Sequence, residues 1–293
     1  MSSGRPGGRY GVRMLRVGPE GVELCIDEYG DPADPLVLLI AGAASSYDWW
    51  DVGLCEALAA GGRRVVRYDH RDTGHSVTGR PGSPAYGAGA LQQDCADLVV
   101  ALGGEPAHLV GLSMGGGIAQ ALALTRPELV ASVTLVATTA VGGVDGTTLP
   151  GPTAELGDYF SNPPPEPDWT DQAAVVEWLV AAERVFAGPG FDEDRARAIA
   201  AEVVDRSIDP AAAGNHWLAV GGDDGPALDA YAICVPTLVV HGRNDPMFPV
   251  PHGEALAAAV PAARLLTVEQ MGHQVPPSVA WPDVVAEVIA LGD

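Results

Sequence analysis

The chain has 293 residues, of which 47% are hydrophobic and 18% are charged, a composition typical of a globular protein with a large core. It contains no lysine, and its 38 acidic residues against 16 arginines give a formal net charge of −22. A charge of this sign repels nucleic acids and anionic membrane surfaces, so neither is an expected partner.

No apolar run approaches the ~20 residues that a membrane-spanning helix requires. The N-terminal arginines are not followed by an apolar block, so we expect no secretory signal and a cytoplasmic protein. The four cysteines have no CxxC spacing, and in a chain of this length we expect them to be reduced and buried. The expected oligomeric state is a monomer or a homodimer.

Strands and helices alternate through the first half of the chain. Residues 1–11 are rich in Gly and Ser and are expected to form a disordered tail, and residues 12–28 predict two strands around a Gly-Pro-Glu-Gly turn. The run LVLLIAG at 36–42 is continuously apolar, which is typical of a strand buried on both faces. A helix follows it, and the next predicted elements are a strand at 63–69, a helix at 91–102, a strand at 107–112, a helix at 115–125 and a strand at 132–139.

This alternation predicts a parallel, doubly wound sheet that is interrupted after residue 140. The segment 141–168 is rich in Gly, Pro, Asp and Thr. Two amphipathic helices follow with no strand between them, the first over 170–186 with Thr170 as its cap and the second from about Asp192, and a third short helix is expected around Trp217. Strands return at 236–242 and 264–271. We therefore predict one core domain, residues 12–140 and 233–293, interrupted by a helical cap insertion, residues 141–232.

The stretch HLVGLSMGGG, residues 108–117, places Ser113 between Gly111 and Gly115. A phosphate-binding loop is excluded because it requires a lysine, and a dinucleotide fingerprint requires glycine where Ser113 stands. Gly-x-Ser-x-Gly between a buried strand and a helix is the setting of a nucleophile on a sharp turn. The motif therefore predicts Ser113 as a catalytic nucleophile.

A serine nucleophile needs a base, and the base needs an orienting carboxylate. In a strand-turn-helix setting these residues follow in the order Ser, Asp or Glu, His. Asp245 lies just after one late predicted strand and His273 just after the last, whereas His252 follows Asp245 too closely to come from a separate strand end. Since open α/β sheets build their sites at the carboxyl ends of strands, we predict a Ser113–His273–Asp245 triad.

The tetrahedral intermediate also needs hydrogen-bond donors for its oxygen. We predict the backbone N–H groups of Met114, directly after the nucleophile, and of Ala43, in the loop after the early buried strand. For the substrate we predict contacts from four tryptophans, two after that loop and two in the cap: Trp49, Trp50, Trp178 and Trp217.

With these residues the chain resembles the α/β-hydrolase superfamily, and the resemblance extends from about residue 20 onward. RYDHRDTGHS at 67–76 is similar to its Asp-x-Arg-Gly-x-Gly-x-Ser segment, with Asp72 in place of the usual glycine. That variant, together with GDPADP at 30–35, GLSMG and NDPMFPVPHG at 244–253, resembles the aclacinomycin methylesterase group. The resemblance implies a mostly parallel eight-stranded sheet with helices on both faces, a helical cap, and cleavage of a methyl ester from an aromatic polyketide glycoside. One departure is Ala41-Gly42, where the superfamily usually has His-Gly.

The same three residues suit several activities. We expect hydrolysis of a carboxylic ester that joins a large aromatic group to a small alcohol, without a metal or a cofactor. A lactonase, a carbon–carbon bond hydrolase and a cofactor-free perhydrolase are alternatives that use the triad unchanged. A non-catalytic ligand receptor on the same scaffold is disfavoured, because such receptors tend to lose a triad member. His70, Asp72 and His75 lie close together in sequence, as do His241, Asp245 and His252, but neither set has a recognised zinc spacing.

Overall fold

A computed structural model describes residues 9–144, 146–220 and 228–291. Over those residues the strands are β1 (Arg9–Val17), β2 (Val22–Tyr29), β3 (Leu36–Ile40), β4 (Arg64–Tyr68), β5 (Ala107–Leu112), β6 (Val130–Val136), β7 (Thr237–Gly242) and β8 (Arg264–Val268). The helices are α1 (Val52–Ala60), α2 (Ala88–Ala101), α3 (Met114–Thr125), α4 (Ala154–Ser161), α5 (Gln172–Phe186), α6 (Glu193–Arg206), α7 (Asn215–Val220), α8 (Pro251–Ala259) and α9 (Trp281–Leu291). None of these helices is long and apolar enough to cross a membrane.

The eight strands form one sheet in the order β1-β2-β4-β3-β5-β6-β7-β8, which confirms the predicted mostly parallel sheet. Strand β2 pairs antiparallel with both neighbours, and the pairs from β4 to β8 are parallel. The predicted N-terminal hairpin forms, with Gly18 and Gly21 of its turn at φ of +65° and +67°. Glycine tolerates this left-handed backbone better than other residues.

Apolar side chains cover both faces of the sheet. Helices α2, α3 and α8 contribute residues such as Leu98, Leu122 and Leu256 to the cluster on one face. Helices α1 and α9 contribute residues such as Leu54 and Val288 to the cluster on the other. Burial on both faces explains why β3 and β5 read as continuous apolar runs. Three of the four cysteines are buried as expected, whereas Cys234 is exposed.

The structure differs from the expected N-terminal tail at residues 9–11, which belong to strand β1. Residues 1–8 of the predicted 1–11 tail lie outside the described residues. Strand β1 begins at Arg9, because the backbone of residues 9–11 pairs with Glu28 and Tyr29 of β2. Backbone pairing with β2 therefore orders a segment whose Gly-rich composition predicted disorder.

Helices α4 to α7 lie between β6 and β7, and we call this group, residues 154–220, the cap. Residue 145 and residues 221–227 of the expected insertion lie outside the described residues. Helix α4 was not expected in this Gly- and Pro-rich stretch; the side chain of Thr153 caps it by accepting a hydrogen bond from the Leu156 N–H. The cap residue of α5 is Asp171 and not Thr170, because the Asp171 carboxylate accepts from the first free N–H groups of the helix.

Buried polar contacts tie the cap to the core. Arg206, at the end of α6, pairs with the Asp48 carboxylate at 2.7 Å and with that of Asp69 at 3.1 Å. The contacts of Asp72 explain why this chain has aspartate where the superfamily usually has glycine. The Asp72 carboxylate accepts from the Tyr86 hydroxyl at 2.6 Å and from the Asn215 side-chain amide of α7 at 2.9 Å. A glycine at position 72 would leave those donors without their acceptor.

Candidate active site

Ser113 occupies a strained turn between β5 and α3. Its backbone has φ of +51° and ψ of −112°, a conformation that a non-glycine residue adopts only when its surroundings enforce it. The flanking glycines allow this turn. A Cβ added to Gly111 would lie 2.2 Å from the Gly115 carbonyl oxygen, and a Cβ added to Gly115 would lie 2.3 Å from the Ile40 carbonyl oxygen. Strand β5, helix α3 and strand β3 therefore approach each other more closely than any side chain permits.

The structure brings Ser113, His273 and Asp245 together from three strand ends. The Ser113 Oγ atom lies 2.9 Å from His273 Nε2. His273 Nδ1 lies 3.0 Å from Asp245 Oδ2 and 3.2 Å from Oδ1. Since the Asp245 carboxylate is an acceptor, Nδ1 carries the proton in this arrangement and Nε2 faces the hydroxyl as an acceptor. The three side chains form one hydrogen-bonded chain that ends at the Ser113 oxygen.

Further hydrogen bonds hold the Asp245 carboxylate and the His273 backbone. Asp245 Oδ1 accepts from the backbone N–H groups of Met247 at 2.9 Å and Phe248 at 2.8 Å. The His273 N–H donates to the Phe186 carbonyl oxygen at 2.7 Å, which ties the loop after β8 to the end of α5. The rings of Phe186 and Phe248 lie 5.9 Å and 5.4 Å from the imidazole of His273. Packing on these rings restricts how the imidazole can turn.

The two predicted oxyanion donors lie beside Ser113. Met114 is the first residue of α3, and the N–H groups of a first helical turn have no acceptor within their helix. Ala43 lies in the loop after β3 and lines the same cavity as Ser113. The next residue, Ala44, has φ of +57°, and its N–H donates to the Nδ1 atom of His216 in the cap at 3.0 Å.

Ser113 and His273 open into a cavity of about 540 Å³ between the core and the cap. Trp49 and Trp217, two of the four tryptophans predicted to contact the substrate, line this cavity. Trp49 also packs on cap residues of α6. The other two predicted tryptophans lie elsewhere. Trp50 is buried in the apolar cluster on the sheet face that α1 and α9 cover. Trp178 packs edge-on against Trp169, with ring centroids 5.5 Å apart.

Sequence reasoning missed several residues that line this cavity: Phe186, Phe191, Met247, Ile199 and Trp281. Their apolar character gave no signal, because an apolar residue fits the core as well as it fits the wall of a pocket. Four charged residues of the lining were also missed: Asp51, Glu183, Asp192 and Arg195. Glu183 of α5 left a signal in the sequence, because it is an acidic residue within an apolar helix face.

The histidine sets considered for metal binding have other partners. His70 Nε2 lies 3.2 Å from the Ala41 carbonyl oxygen, and burial lowers the pKa of His70 to about 3. His241 Nε2 lies 2.7 Å from the Phe248 carbonyl oxygen, and His252 Nδ1 lies 2.8 Å from the Thr139 hydroxyl. Within residues 9–144, 146–220 and 228–291 no three His, Cys, Asp or Glu side chains are grouped so that they could hold a metal ion.

Known proteins with related sequences share this architecture. The family described as alpha/beta hydrolase fold matches residues 34–276. The rhodomycin D methylesterases DauP of Streptomyces sp. (strain C5) and DnrP of Streptomyces peucetius are 32% and 31% identical over 279 residues, which cover 89% of this chain and 92% of each relative. The predicted resemblance to methylesterases is thereby confirmed.

Solved structures agree with the fold. A hydrolase from Pseudomonas aeruginosa PA01 superimposes with a TM-score of 0.66 at 27% identity, over 96% of this chain and 97% of that one. The enol-lactonase from Burkholderia xenovorans LB400 has a TM-score of 0.71 at 21% identity, over 95% and 99% of the two chains. With a family match over most of its length and methylesterase relatives above 30% identity, this chain belongs to the α/β-hydrolase family.

Proposed function

We propose that the protein is a carboxylic ester hydrolase that forms an acyl-enzyme on Ser113. The observation that carries the proposal is the hydrogen-bonded chain from Asp245 through His273 to the Ser113 oxygen, with contact distances of 3.0 Å and 2.9 Å. These distances lie within the reach that general-base activation of a nucleophile requires. The chain ends in a cavity large enough for an organic substrate.

In the acylation step, His273 Nε2 takes the proton of the Ser113 hydroxyl while Oγ attacks the ester carbonyl carbon. The carbonyl oxygen gains negative charge, and the N–H groups of Met114 and Ala43 donate hydrogen bonds to it. The positive imidazolium is stabilised by the Asp245 carboxylate, which two backbone N–H groups hold in place. Collapse of the intermediate breaks the bond to the alcohol oxygen, and His273 donates its proton to that oxygen.

Deacylation repeats these steps with water. After the alcohol leaves, a water molecule loses a proton to His273 Nε2 and attacks the acyl carbon. The second tetrahedral oxygen uses the same two N–H donors. His273 then returns the proton to Ser113 Oγ, which releases the carboxylic acid and restores the enzyme.

Among the activities open to this triad, ester cleavage has the best support. Two rhodomycin D methylesterases are 32% and 31% identical over 89% of this chain, whereas the putative carbamate hydrolase RutD of Caulobacter segnis is 36% identical over only 39% of it. The likeness to an enol-lactonase, at 21% identity, bears on the fold alone. We therefore propose a methyl ester or an ester of another small alcohol as the substrate.

The cavity supports a bulky, aromatic acyl group. Its volume of about 540 Å³ lies within the ~300–1,000 Å³ range of sites for drug-sized ligands. Trp49, Phe186, Phe191, Trp217 and Trp281 line it, and such rings offer flat apolar surface for stacking. Trp217 keeps 48% of its surface exposed, as expected for a residue at the mouth of a cavity.

A hydrolysis assay tests the proposed reaction. Methyl esters of naphthoic and anthracene carboxylic acids, p-nitrophenyl acetate and a set of lactones are compared, with product acid measured by chromatography. We expect the aromatic methyl esters to have the highest kcat/KM after correction for leaving-group reactivity. Ser113→Ala lowers kcat by ~10³-fold or more, and Asp245→Asn by up to ~10⁴-fold. Retention of wild-type rates by Ser113→Ala excludes the proposed nucleophile.

A matched pair of cap variants tests the acyl group. Trp217→Ala removes a ring that lines the cavity, whereas Trp178→Ala removes one that packs on Trp169 outside it. Trp217→Ala lowers kcat/KM for the anthracene ester and leaves p-nitrophenyl acetate unchanged. Trp178→Ala affects both substrates equally. Equal losses on both substrates for Trp217→Ala contradict the aromatic assignment and leave an esterase of broad specificity.

A further inference from the structure

Three carboxylates line the cavity without a role in the proposed reaction, those of Asp51, Glu183 and Asp192, and among them only Glu183 lacks a partner in the described residues. Glu183 lies on α5, three residues before Phe186, and it lines the cavity together with Ser113 and His273. Residues three apart share one face of a helix, so Glu183 and Phe186 are oriented toward the same space. The Phe186 ring lies 5.9 Å from the His273 ring, which places Glu183 near the site but one helical turn away from the reacting atoms.

No described residue forms a hydrogen bond or an ion pair with the Glu183 carboxylate. The arginines of α5 and α6 are all paired with other carboxylates: Arg184 with Glu193, Arg195 with Asp51, Arg197 with Glu177, and Arg206 with Asp48 and Asp69. The chain contains no lysine. Glu183 is half-buried at the cavity wall, so its carboxylate is partly removed from water and a cation supplied from outside the chain would stabilise it.

Charge and shape at the cavity favour a cation as that partner. The one arginine in the lining, Arg195, is neutralised by Asp51 at 2.6 Å. Asp192 also lines the cavity and has its Oδ1 atom on the Arg195 backbone N–H at 3.0 Å. The lining therefore has an excess of negative charge. Phe186 and Trp217 also line the cavity, and aromatic rings attract organic cations.

We propose that Glu183 binds a positively charged ammonium substituent on the acyl part of the substrate, remote from the ester carbonyl. This inference rests on the proposed function and adds a substrate class to it. Glu183 thereby determines specificity. Its carboxylate makes contact with the bound ester but takes no part in bond breaking.

Two isosteric substrates isolate the charge. Methyl 4-(trimethylammoniomethyl)benzoate and methyl 4-neopentylbenzoate differ only in a quaternary nitrogen in place of a carbon. Homologues with two and three methylene groups before the branched centre extend the reach of the charge. At pH 8 we expect kcat/KM to be at least about tenfold higher for the ammonium ester of the best-fitting pair. Ratios near one at every spacer length overturn the proposal.

Two variants assign the preference to one side chain. Glu183→Gln keeps the size of the side chain and removes its charge, so the ratio of kcat/KM for the ammonium ester to that for the neopentyl ester falls to about one. Glu202→Gln is the matched control, because it removes one charge from the exposed surface of α6. This control retains the preference. Loss of the preference in Glu202→Gln as well indicates an effect of net charge and overturns the role of Glu183.

The preference also has a characteristic pH dependence. Burial raises the pKa of Glu183 to about 7. The ratio of the two kcat/KM values therefore rises between pH 5.5 and 8.5 as the carboxyl loses its proton, and in Glu183→Gln it stays flat. The quaternary ammonium does not titrate. Other ionisable groups line the cavity, namely Asp51, Asp192, Arg195 and His273, and Tyr159 lies close enough to Glu183 to interact with its charge. Changes at these groups that act on the reaction alter kcat/KM for both esters alike and cancel in the ratio.

Binding separates this inference from the proposed reaction. In Ser113→Ala, calorimetry measures the affinity of the same two esters without turnover. Tighter binding of the ammonium ester, abolished by adding Glu183→Gln, supports the cation site even if the wild-type protein hydrolyses neither ester. Hydrolysis of both esters at equal rates with equal affinities leaves the esterase assignment intact and rejects the cation site.

Discussion

The Nδ1 atom of His216 accepts a hydrogen bond from the backbone N–H of Ala44 at 3.0 Å, although the two residues are 172 positions apart. The other ring nitrogen, Nε2, donates to the Arg71 carbonyl oxygen at 2.8 Å. This pair of bonds requires the neutral ring, and burial lowers the pKa of His216, which favours that form. Ala44 is held at φ of +57° directly after Ala43. Helix α7 of the cap therefore holds the loop that carries the proposed oxyanion donor.

Replacement of His216 should weaken catalysis without removing a reacting group. In His216→Ala the Ala44 N–H loses its acceptor, and the strained loop can relax away from the position that stabilises the tetrahedral oxygen. Since loss of a whole oxyanion donor costs ~10²–10³-fold, we expect displacement of one to lower kcat by about tenfold with little change in KM. Steady-state kinetics on an aromatic methyl ester measure kcat and KM separately. His75→Ala, at an exposed position, serves as the control. An unchanged kcat in His216→Ala would show that the loop holds its position without the cap.

Two glycines of the same helix should respond oppositely to alanine. At Gly115 the new Cβ lies 2.3 Å from a backbone oxygen of β3, so helix and strand must separate. We expect Gly115→Ala to destabilise the fold by about 3 kcal/mol or more and to abolish activity. At Gly117 no atom lies within 4 Å of the new Cβ, and alanine favours the helix by roughly 0.5–1 kcal/mol. Urea unfolding of both variants tests the contrast, which fails if Gly115→Ala is as stable as wild type.

Loss of Arg206 should destabilise the protein. Its guanidinium, 17% exposed, pairs with the buried carboxylates of Asp48 and Asp69. Arg206→Ala leaves two buried charges without their partner, which costs about 3–5 kcal/mol. The control is Arg184→Ala, whose pair with Glu193 is exposed and is expected to contribute little to stability. Denaturant midpoints give both values. Similar midpoints for the two variants would contradict a special role for the buried pairing.

Acid should weaken the fold through its buried histidines, and His108 offers a test. Burial lowers its pKa from 6.5 to about 3, and its Nε2 lies 2.8 Å from the Thr134 hydroxyl. The unfolded chain takes up a proton at this residue below pH 6.5, whereas the folded protein does so only near pH 3. Stability is therefore lost as the pH falls through this window, by about 1.4 kcal/mol per pH unit for one such group.

The variant His108→Gln removes that proton uptake. Between pH 6 and pH 4 its free energy of unfolding should fall less steeply than that of the wild type. The difference in slope should be about 1.4 kcal/mol per pH unit, which corresponds to one proton. Urea titrations at several pH values measure the slope for both proteins. If the free energies of unfolding of the two proteins have the same slope against pH, His108 of the folded protein is protonated near pH 6.5, as in the unfolded chain.

Much of the site could be read from local sequence. The alternation of apolar strands and amphipathic helices predicted the sheet, since period and length are properties of neighbouring residues. Ser113 was predicted as the nucleophile from its flanking glycines, and Asp245 and His273 were predicted as its partners from their places after strands, because parallel strands bring their carboxyl ends to one edge. The structure places these three side chains in hydrogen-bond contact. The predicted cap of α5, Thr170, was wrong because the neighbouring Asp171 can also accept from the first N–H groups of that helix.

Only the tertiary structure decided which side chains meet inside the cavity. Trp49 and Trp50 are adjacent in sequence, yet one lines the cavity and the other is buried in the core, because the short helical turn they share orients their rings differently. Trp178 turned toward Trp169, and Glu183 on the same helix faced the cavity without a partner. Such contacts depend on how the cap packs across residues far apart in the chain. Local patterns carry no information about that packing, whereas they determine the strands and the turn that present Ser113.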